Sequence, residues 1–343
     1  MTTAPAYAVS FRFRDGAQRS IVTDGSIPLL DAALAQGVPL LYQCRSGSCC
    51  TCTAHLVAGD AEMASDAGTA LLKSEREKGF RLLCRSRPRS ACAFDLAYDS
   101  SIAAGAARKA RVFVNALDHL APDVMRVRLE LAEDDWIDFR AGQFIQVRVP
   151  GTDAVRSYSM SSTPSELPNL DLLVRLIPGG VMSEYLRSRA RVDDVLQIEG
   201  PFGAFFHRDQ IKAPHVMIAG GTGLAPVLSM IDALRRKPGR KPRVLLSFGC
   251  ASCESLFCVD ELELRRLWLP TLATRVSVDR GAEADGIRIG NPVTAIAAAD
   301  VEDPETVAYL CGPPAMIEAG RTRLMALGVS ADRIFAEQFV PTS

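Results

Sequence analysis

Little net charge, little histidine and no long apolar run mark this chain. The 39 Lys and Arg against 40 Asp and Glu leave a formal charge of −1, with the two signs interspersed. Without a basic face, nucleic acid is not an expected partner. The most apolar stretch, Val216–Met230, is broken by Gly220, Gly221, Gly223 and Pro226, so no membrane span is expected. Met1–Arg14 carries no signal-peptide pattern, which makes a reducing cytoplasm the expected compartment. The 10 cysteines are then not read as a disulfide framework. His55, His119, His207 and His215 show no metal-ligand spacing and are expected on the surface or in packing. Internal repeats and low-complexity tracts are also missing.

What the chain does have is a run of cysteines. Cys44, Cys49 and Cys52 read C-x4-C-x2-C and are followed by Cys84, the plant-type ferredoxin spacing for a [2Fe–2S] cluster. Each iron needs two thiolates, and the loop Gln43–Cys49 must wrap tightly to supply them. Gly47 can take a positive φ there, small polar neighbours bring N–H groups to the sulfurs, and Arg45 adds a positive charge. Zinc fits less well, because Cys84 lacks the paired C-x2-C unit of a structural zinc site. Cys92 is the nearby rival for fourth ligand, but Leu82-Leu83-Cys84 leads into Cys84 like a strand end. Cys50 stands where this pattern usually has Gly, Ala or Ser.

At 343 residues, two or three domains are expected. Tyr7, Val9, Phe11 and Phe13 alternate as a half-buried strand, Asp15-Gly16 turns into a second strand ending near Thr23, and Ser26 and Pro28 open a short helix that closes at Gly37. With the cysteine loop this makes a β-grasp ferredoxin domain over residues 1–100. A small, polar linker follows at 101–110. Residues 111–208 carry many short alternating strands, such as Met125–Leu131 and Ile145–Val149, and read as an antiparallel β-barrel with one short helix at Val181–Arg189. Residues 209–343 switch to strand–helix alternation. Strands are expected at His215–Ala219, Arg243–Phe248, Thr274–Val278, Val307–Cys311 and Ile334–Phe339, and helices near Ala225–Arg236, Asp260–Trp268 and Pro314–Leu327. That pattern predicts a Rossmann-like parallel sheet covered on both faces. The fold class is therefore multidomain, α+β followed by α/β.

The second and third segments carry candidate nucleotide chemistry. Arg156-Ser157-Tyr158-Ser159 follows a barrel strand: Arg156 can pair with a phosphate, Tyr158 can lie against a ring, and the Ser159 hydroxyl can reach the redox end of a flavin. Gly179-Gly180-Val181-Met182-Ser183 opens a helix whose N-terminal N–H groups can hold a pyrophosphate. Gly200-Pro201-Phe202-Gly203 makes a tight turn. Gly220-Gly221-Thr222-Gly223-Leu224-Ala225-Pro226 lies between a strand and a helix, the context of a dinucleotide loop, although Pro226 replaces the third glycine of G-x-G-x-x-G and the usual acid some twenty residues on is missing. Cys311-Gly312-Pro313-Pro314 ends a strand at the carboxyl edge, where α/β sheets bind ligands. No Lys or Arg lies between Val244 and Leu264, while Glu254 and Asp260 would repel a 2′-phosphate, so NADH is expected over NADPH. Cys250, Cys253 and Cys258 follow a buried strand without a fourth thiolate and are not expected to form a second metal site.

In this order the motifs resemble a family, the single-chain reductase components of bacterial ring-hydroxylating dioxygenases of the benzoate, toluate and anthranilate type. The resemblance rests on the four cysteines, Arg156–Ser159, Met182-Ser183-Glu184-Tyr185-Leu186, Gly200–Gly203, Gly220–Gly223, Tyr309–Pro313 and Glu337-Gln338-Phe339, and it covers nearly the whole chain. The flavin and nicotinamide segments also resemble the wider ferredoxin–NADP reductase superfamily. The likeness implies that Arg156, Ser157, Tyr158 and Ser159 contact FAD, with Ser159 near N5, and that Gly180, Val181, Met182 and Ser183 hold its pyrophosphate. It implies that Gly221, Thr222 and Gly223 hold the dinucleotide pyrophosphate, with Cys311 and Gly312 beside the nicotinamide. Phe339 would lie over the isoalloxazine, with Glu337 near the hydride path, although four residues follow Phe339 here.

The implied activity is that of an NADH:acceptor oxidoreductase, passing electrons from NADH to FAD to the [2Fe–2S] cluster. A cluster near about −400 mV can reduce a Rieske centre at roughly −150 to +300 mV. The implied acceptor is therefore the Rieske centre of a terminal oxygenase component, or that oxygenase's ferredoxin, and a monomer is expected because one chain holds the full path. Alternatives are the same reductase serving a di-iron monooxygenase or a deoxysugar dehydratase, and an electron carrier or redox sensor that does not oxidise NADH.

Overall fold

The computed structural model describes residues 6–42, 45, 47, 50–64, 71, 73–103, 107–208, 212–281 and 286–339. The chain divides into two compact units, Met1–Ala106 with Phe202–Ala204, and Ala107–Pro201 with Phe205–Ser343.

In the first unit, β1 (Tyr7–Arg12) and β2 (Gln18–Thr23) form the expected hairpin, its turn closed by Gly16 N donating to Phe13 O at 3.0 Å. Strand alternation turns Val9 and Phe11 into the core. α1 (Leu29–Ala35) begins after Pro28 and stops before Gly37, whose φ of +74° a side chain would strain. There follow β3 (Thr53–Ala58), β4 (Ala61–Met63), α2 (Lys73–Glu77), β5 (Phe80–Leu82), β6 (Ser86–Pro88), β7 (Cys92–Asp95) and a single helical turn, α3 (Ser100–Ala103). The main sheet runs β2-β1-β7-β3-β5, with β1 and β7 parallel and the other pairs antiparallel. α1 packs on β2, β6 and the turn at Leu83–Arg85. This is a β-grasp unit, and its helix braces the turn that carries Cys84.

The second unit opens with β8 (Arg108–Ala121), so strand already occupies the end of the stretch expected to be a linker. β9 (Val124–Leu131), β10 (Phe144–Arg148), β11 (Val155–Ser159), β12 (Asn169–Arg175), α4 (Val181–Ser188) and β13 (Val195–Phe202) follow. The sheet runs β11-β10-β13-β8-β9-β12, and an antiparallel bridge between Met160 and Leu172 joins its two edges into a barrel. Alternate residues, including Val112, Val127, Ile145, Leu172 and Ile198, fill the interior.

Parallel structure then takes over. β14 (His215–Gly220), α5 (Leu224–Arg236), β15 (Val244–Ser252), α6 (Val259–Trp268), β16 (Leu272–Arg280), β17 (Ile287–Ile289), β18 (Val307–Gly312), α7 (Pro314–Ala326) and β19 (Ile334–Gln338) complete the described chain. The strand order is β17-β16-β15-β14-β18-β19, every pair parallel. Met217, Ala219, Leu246, Phe248, Tyr309 and Cys311 face a core shared with α5 and α6. The intervening Val216, Ile218, Leu245, Ala308 and Leu310 face α7. Burial on both faces is why these strands read as continuous apolar runs. β17, only three residues long, is too short to show a period and was not expected from the pattern.

Candidate active site and cluster-binding loop

Two of the four expected cluster ligands, Cys44 and Cys49, lie outside the described residues. The other two are buried and brought together. Thr53 pairs with Leu82 across β3 and β5, and Leu83 N donates to Cys52 O at 3.1 Å, which sets Cys84 beside Cys52. Around them the backbone takes positive φ at Arg45 (52°), Gly47 (92°) and Cys50 (56°), as a tightly wrapped loop requires. Cys50 thus occupies a left-handed position that glycine fills without strain, and its carbonyl accepts from Thr53 N and Thr53 Oγ1. Arg45 lies over the Tyr42 ring at 4.6 Å and 3.6 Å from Asp31. Tyr98, not singled out from sequence, accepts from Leu41 N at 3.1 Å and anchors the loop's entrance. Cys92 is committed elsewhere: its thiol sits 3.0 Å from Asp60 O and 3.2 Å from Ser90 O, its single proton shared between the two carbonyls, and burial pushes its pKa up. The two buried thiols and the left-handed positions at Arg45, Gly47 and Cys50 fit an iron–sulfur cluster.

In the second unit, the strand order reverses between β14 and β18, the switch point at which open α/β sheets bind ligands. Gly221–Gly223 follow β14, and Cys311-Gly312 end β18. A Cβ on Gly223 would sit 2.2 Å from Cys311 O, so only glycine lets the two turns meet. Gly221, at φ +54°, has open space where a Cβ would project, a cradle suited to a phosphate. Cys250 also lies here, its sulfur facing the Gly221 N–H, with burial pushing its pKa up to about 12.

β19 pairs Glu337 with Cys311, and Ser159 Oγ from the barrel donates to Glu337 Oε2 at 3.1 Å. Ser159, Cys311 and Glu337, which are 178 residues apart at their extremes, therefore form one buried cluster. Burial pushes Glu337 up to about 8, with the Ser159 hydroxyl opposing, and burial beside Glu337 pushes the Cys311 thiol well above its ordinary value. Both shifts favour the protonated forms, so burial works against a charge in this cluster. Phe339 N donates to Gly312 O at 3.0 Å, and its half-buried ring packs on the core that includes Cys311.

The flavin segment is less uniform. Tyr158 is half-buried against the barrel core, and burial raises its pKa. Arg156 donates to Val155 O at 3.0 Å and has no carboxylate against it among the described residues, leaving its charge available for a phosphate. Ser157 is exposed on β11. Gly180 caps α4, and Val181, Met182 and Ser183 form its first turn, but the Ser183 hydroxyl is used internally, accepting from Ile177 N at 2.8 Å. Glu254 is exposed in the turn that follows β15, and the sheet register sets Arg280 opposite Ser252 nearby, a cation that linear distance concealed. Glycine turns, an arginine without a carboxylate partner among the described residues and a buried Ser–Glu pair fit a flavin and a nicotinamide dinucleotide. The largest missed feature is the seam joining barrel and parallel sheet: Arg126 of β9 pairs with Glu261 of α6 at 2.6 Å, and Ser229 of α5 donates to Ser162 O at 2.6 Å. His207 and His215, expected on the surface or in packing, stack with their Nε2 atoms 3.0 Å apart beneath Tyr309.

Three family models match successive parts of the chain. Residues 13–89 match the 2Fe-2S iron-sulfur cluster binding domain, 112–207 the oxidoreductase FAD-binding domain and 217–322 the oxidoreductase NAD-binding domain. The chain is thus an NADH-dependent iron–sulfur flavoprotein oxidoreductase with [2Fe–2S], FAD and NAD modules. It is 32% identical to the anthranilate 1,2-dioxygenase electron transfer component of Acinetobacter baylyi, covering 98% of both chains. It is also 32% identical to the propane 2-monooxygenase reductase component of Mycolicibacterium smegmatis, covering 91% of both. Among solved structures, an Amycolatopsis cytochrome P450 reductase superposes with a TM-score of 0.73 at 31% identity, over 98% of this chain and 100% of that one. The chain belongs to the family of single-chain reductase components of bacterial oxygenases, the group that includes the electron transfer components of ring-hydroxylating dioxygenases.

Proposed function

We propose that this reductase delivers electrons to the Rieske centre of an aromatic-ring-hydroxylating dioxygenase, directly or through that system's ferredoxin. When bound, FAD and a [2Fe–2S] cluster would supply the conversion of a two-electron hydride into single electrons; the chain supplies binding, orientation and electrostatics. In this reading residues 1–100 hold the cluster through Cys44, Cys49, Cys52 and Cys84, 111–208 hold FAD and 209–343 hold NADH. Cys84 is preferred over Cys92 because the Cys92 thiol is engaged with two carbonyls and lies beyond the matched 13–89 segment. Arg156, Ser157 and Tyr158 line the flavin, with the α4 N-terminus at its pyrophosphate. Gly221, Thr222 and Gly223 hold the dinucleotide, and Glu254 meets its ribose.

The observation that carries the site is the Ser159–Glu337 hydrogen bond, with Cys311 in register beside it. It supports a site in which a carboxyl and a hydroxyl meet where the barrel segment and the switch point converge. Ser159 and Glu337 hold a proton at that point, Cys311 and Gly312 shape the nicotinamide side, and Phe339 covers the opening. The acceptor class is tested by anaerobic reconstitution of the NADH-reduced protein with a purified Rieske dioxygenase. Rapid reoxidation of the iron–sulfur band by the dioxygenase supports the reading. A di-iron monooxygenase is the second reading; a monooxygenase partner is favoured by the similarity to a propane 2-monooxygenase reductase component, and faster transfer to a di-iron monooxygenase would replace the first reading. A monomer in a cytoplasmic setting completes the proposal; sedimentation with substrate present tests the former.

A further inference from the structure

The segment after the flavin strand and the helix after the dinucleotide loop are joined by one buried side-chain hydrogen bond. α5 starts immediately after Gly221–Gly223, and its inner face is apolar through Leu224, Val227, Leu228 and Ile231. Ser229 interrupts that face. It is 0% exposed, and its hydroxyl donates to Ser162 O at 2.6 Å. Ser162, three residues past Ser159, is itself held fast: Asp171 N donates to its Oγ at 3.0 Å, and Ser161 N donates to Asp171 O at 2.8 Å. Beside this contact Gly142, at φ +107°, lets α5 approach, because a Cβ there would fall 2.4 Å from Met230 Cε and 2.8 Å from Phe205 O.

Apolar packing is non-directional and holds a helix face without fixing its position along its own axis. A short, buried, directional bond does fix it. We propose that Ser229 is a positioning residue for hydride transfer, its hydroxyl setting the register of α5 on the barrel and hence the separation of the Gly221–Gly223 loop from Ser159. The proposal rests on the reading that those two segments hold the dinucleotide and face the flavin. Hydride transfer is sensitive to such a setting, since reacting atoms misplaced by about 1 Å can lose on the order of a hundredfold in rate.

The test compares holoenzymes of wild type, Ser229→Ala and Ser229→Cys, the latter nearly the same size with a weaker donor. Anaerobic flavin reduction at saturating NADH should slow roughly tenfold in Ser229→Ala and less in Ser229→Cys, as a sub-ångström displacement predicts. NAD⁺ affinity, FAD content and dithionite reduction should not change. The long-wavelength charge-transfer absorption between reduced flavin and NAD⁺ should weaken in the same order, and amides at 160–163 should exchange faster. A lower melting temperature with wild-type reduction rate and charge-transfer absorption would overturn the proposal, and so would a loss confined to NAD⁺ affinity. Gly223→Val is the separate control for the underlying reading. If it leaves NADH reduction intact, the dinucleotide site is misassigned whatever Ser229→Ala does.

Discussion

Glu337 sits in the interior with Ser159 as its hydrogen-bond donor and Cys311 alongside, and burial raises its pKa to about 8. An unfolded glutamate releases that proton at its ordinary value of 4.5. Between those values the native state binds a proton that the unfolded state has lost. The stabilisation is therefore complete below the unfolded value and disappears as pH rises through about 8. The limiting slope is about 1.4 kcal/mol per pH unit. Glu337→Gln keeps the shape and removes the titration, so melting curves from pH 5 to pH 9 should show wild type losing stability relative to the variant as pH rises. Parallel curves would mean that Glu337 is already ionised in the native protein. Cys311 makes a second residue-scale prediction. Fully buried and with its thiol pKa pushed well up, it should resist iodoacetamide in the native holoprotein while the exposed Cys253 is modified first, as mass spectrometry of quenched digests would record.

Between elements, the seam of barrel and parallel sheet combines apolar burial with a chain of ion pairs. Arg126 meets Glu261, Glu261 meets Arg265 at 3.3 Å, and Arg265 meets Asp232 at 2.7 Å. Burial pushes Glu261 upward, yet Arg126 and Arg265 carry it net below the ordinary glutamate value. Arg126→Ala should cost about 2 kcal/mol, less than for an isolated buried pair because Glu261 keeps Arg265. Arg126→Met, which retains the packing of the stem, should cost less, and denaturant midpoints would rank the two. None of this seam was legible in the sequence. Arg126 and Glu261 are 135 residues apart, and no local period links them. The strands themselves were legible, because β9 and β10 alternate and β14 and β18 are apolar throughout, and each pattern follows from which faces are covered. Ser229 did leave a trace, a lone hydroxyl in a helix whose neighbours are apolar, but only the structure supplies Ser162 as its acceptor. Ser159 reads toward a flavin from its own segment, but Glu337 is placed near it by family likeness alone. Spacing could not bring a barrel strand and the last sheet strand together.

Across the whole molecule, the fold distributes one electron path over two compact units, and this makes the modules separable by mutation. Cys52 and Cys84 belong to the first unit, while the Ser159–Cys311–Glu337 cluster and the glycine loop belong to the second. Replacing a thiolate ligand should therefore remove the iron–sulfur bands without touching hydride transfer. Cys84→Ser is expected to abolish those bands, with NADH still bleaching the flavin at close to the wild-type rate and reduction of the oxygenase partner lost. Cys92→Ser is expected to keep cluster, flavin bleaching and partner reduction, because a serine hydroxyl can still donate toward Asp60 O or Ser90 O. The reverse outcome, bands lost in Cys92→Ser and kept in Cys84→Ser, would move the fourth ligand to β7 and require the loop to close on the other end of the sheet. Loss of flavin bleaching in Cys84→Ser with FAD still bound would contradict the separation itself, by making hydride transfer depend on an intact cluster. Iron content, visible absorption and NADH-driven bleaching, measured together on each variant, distinguish all three results.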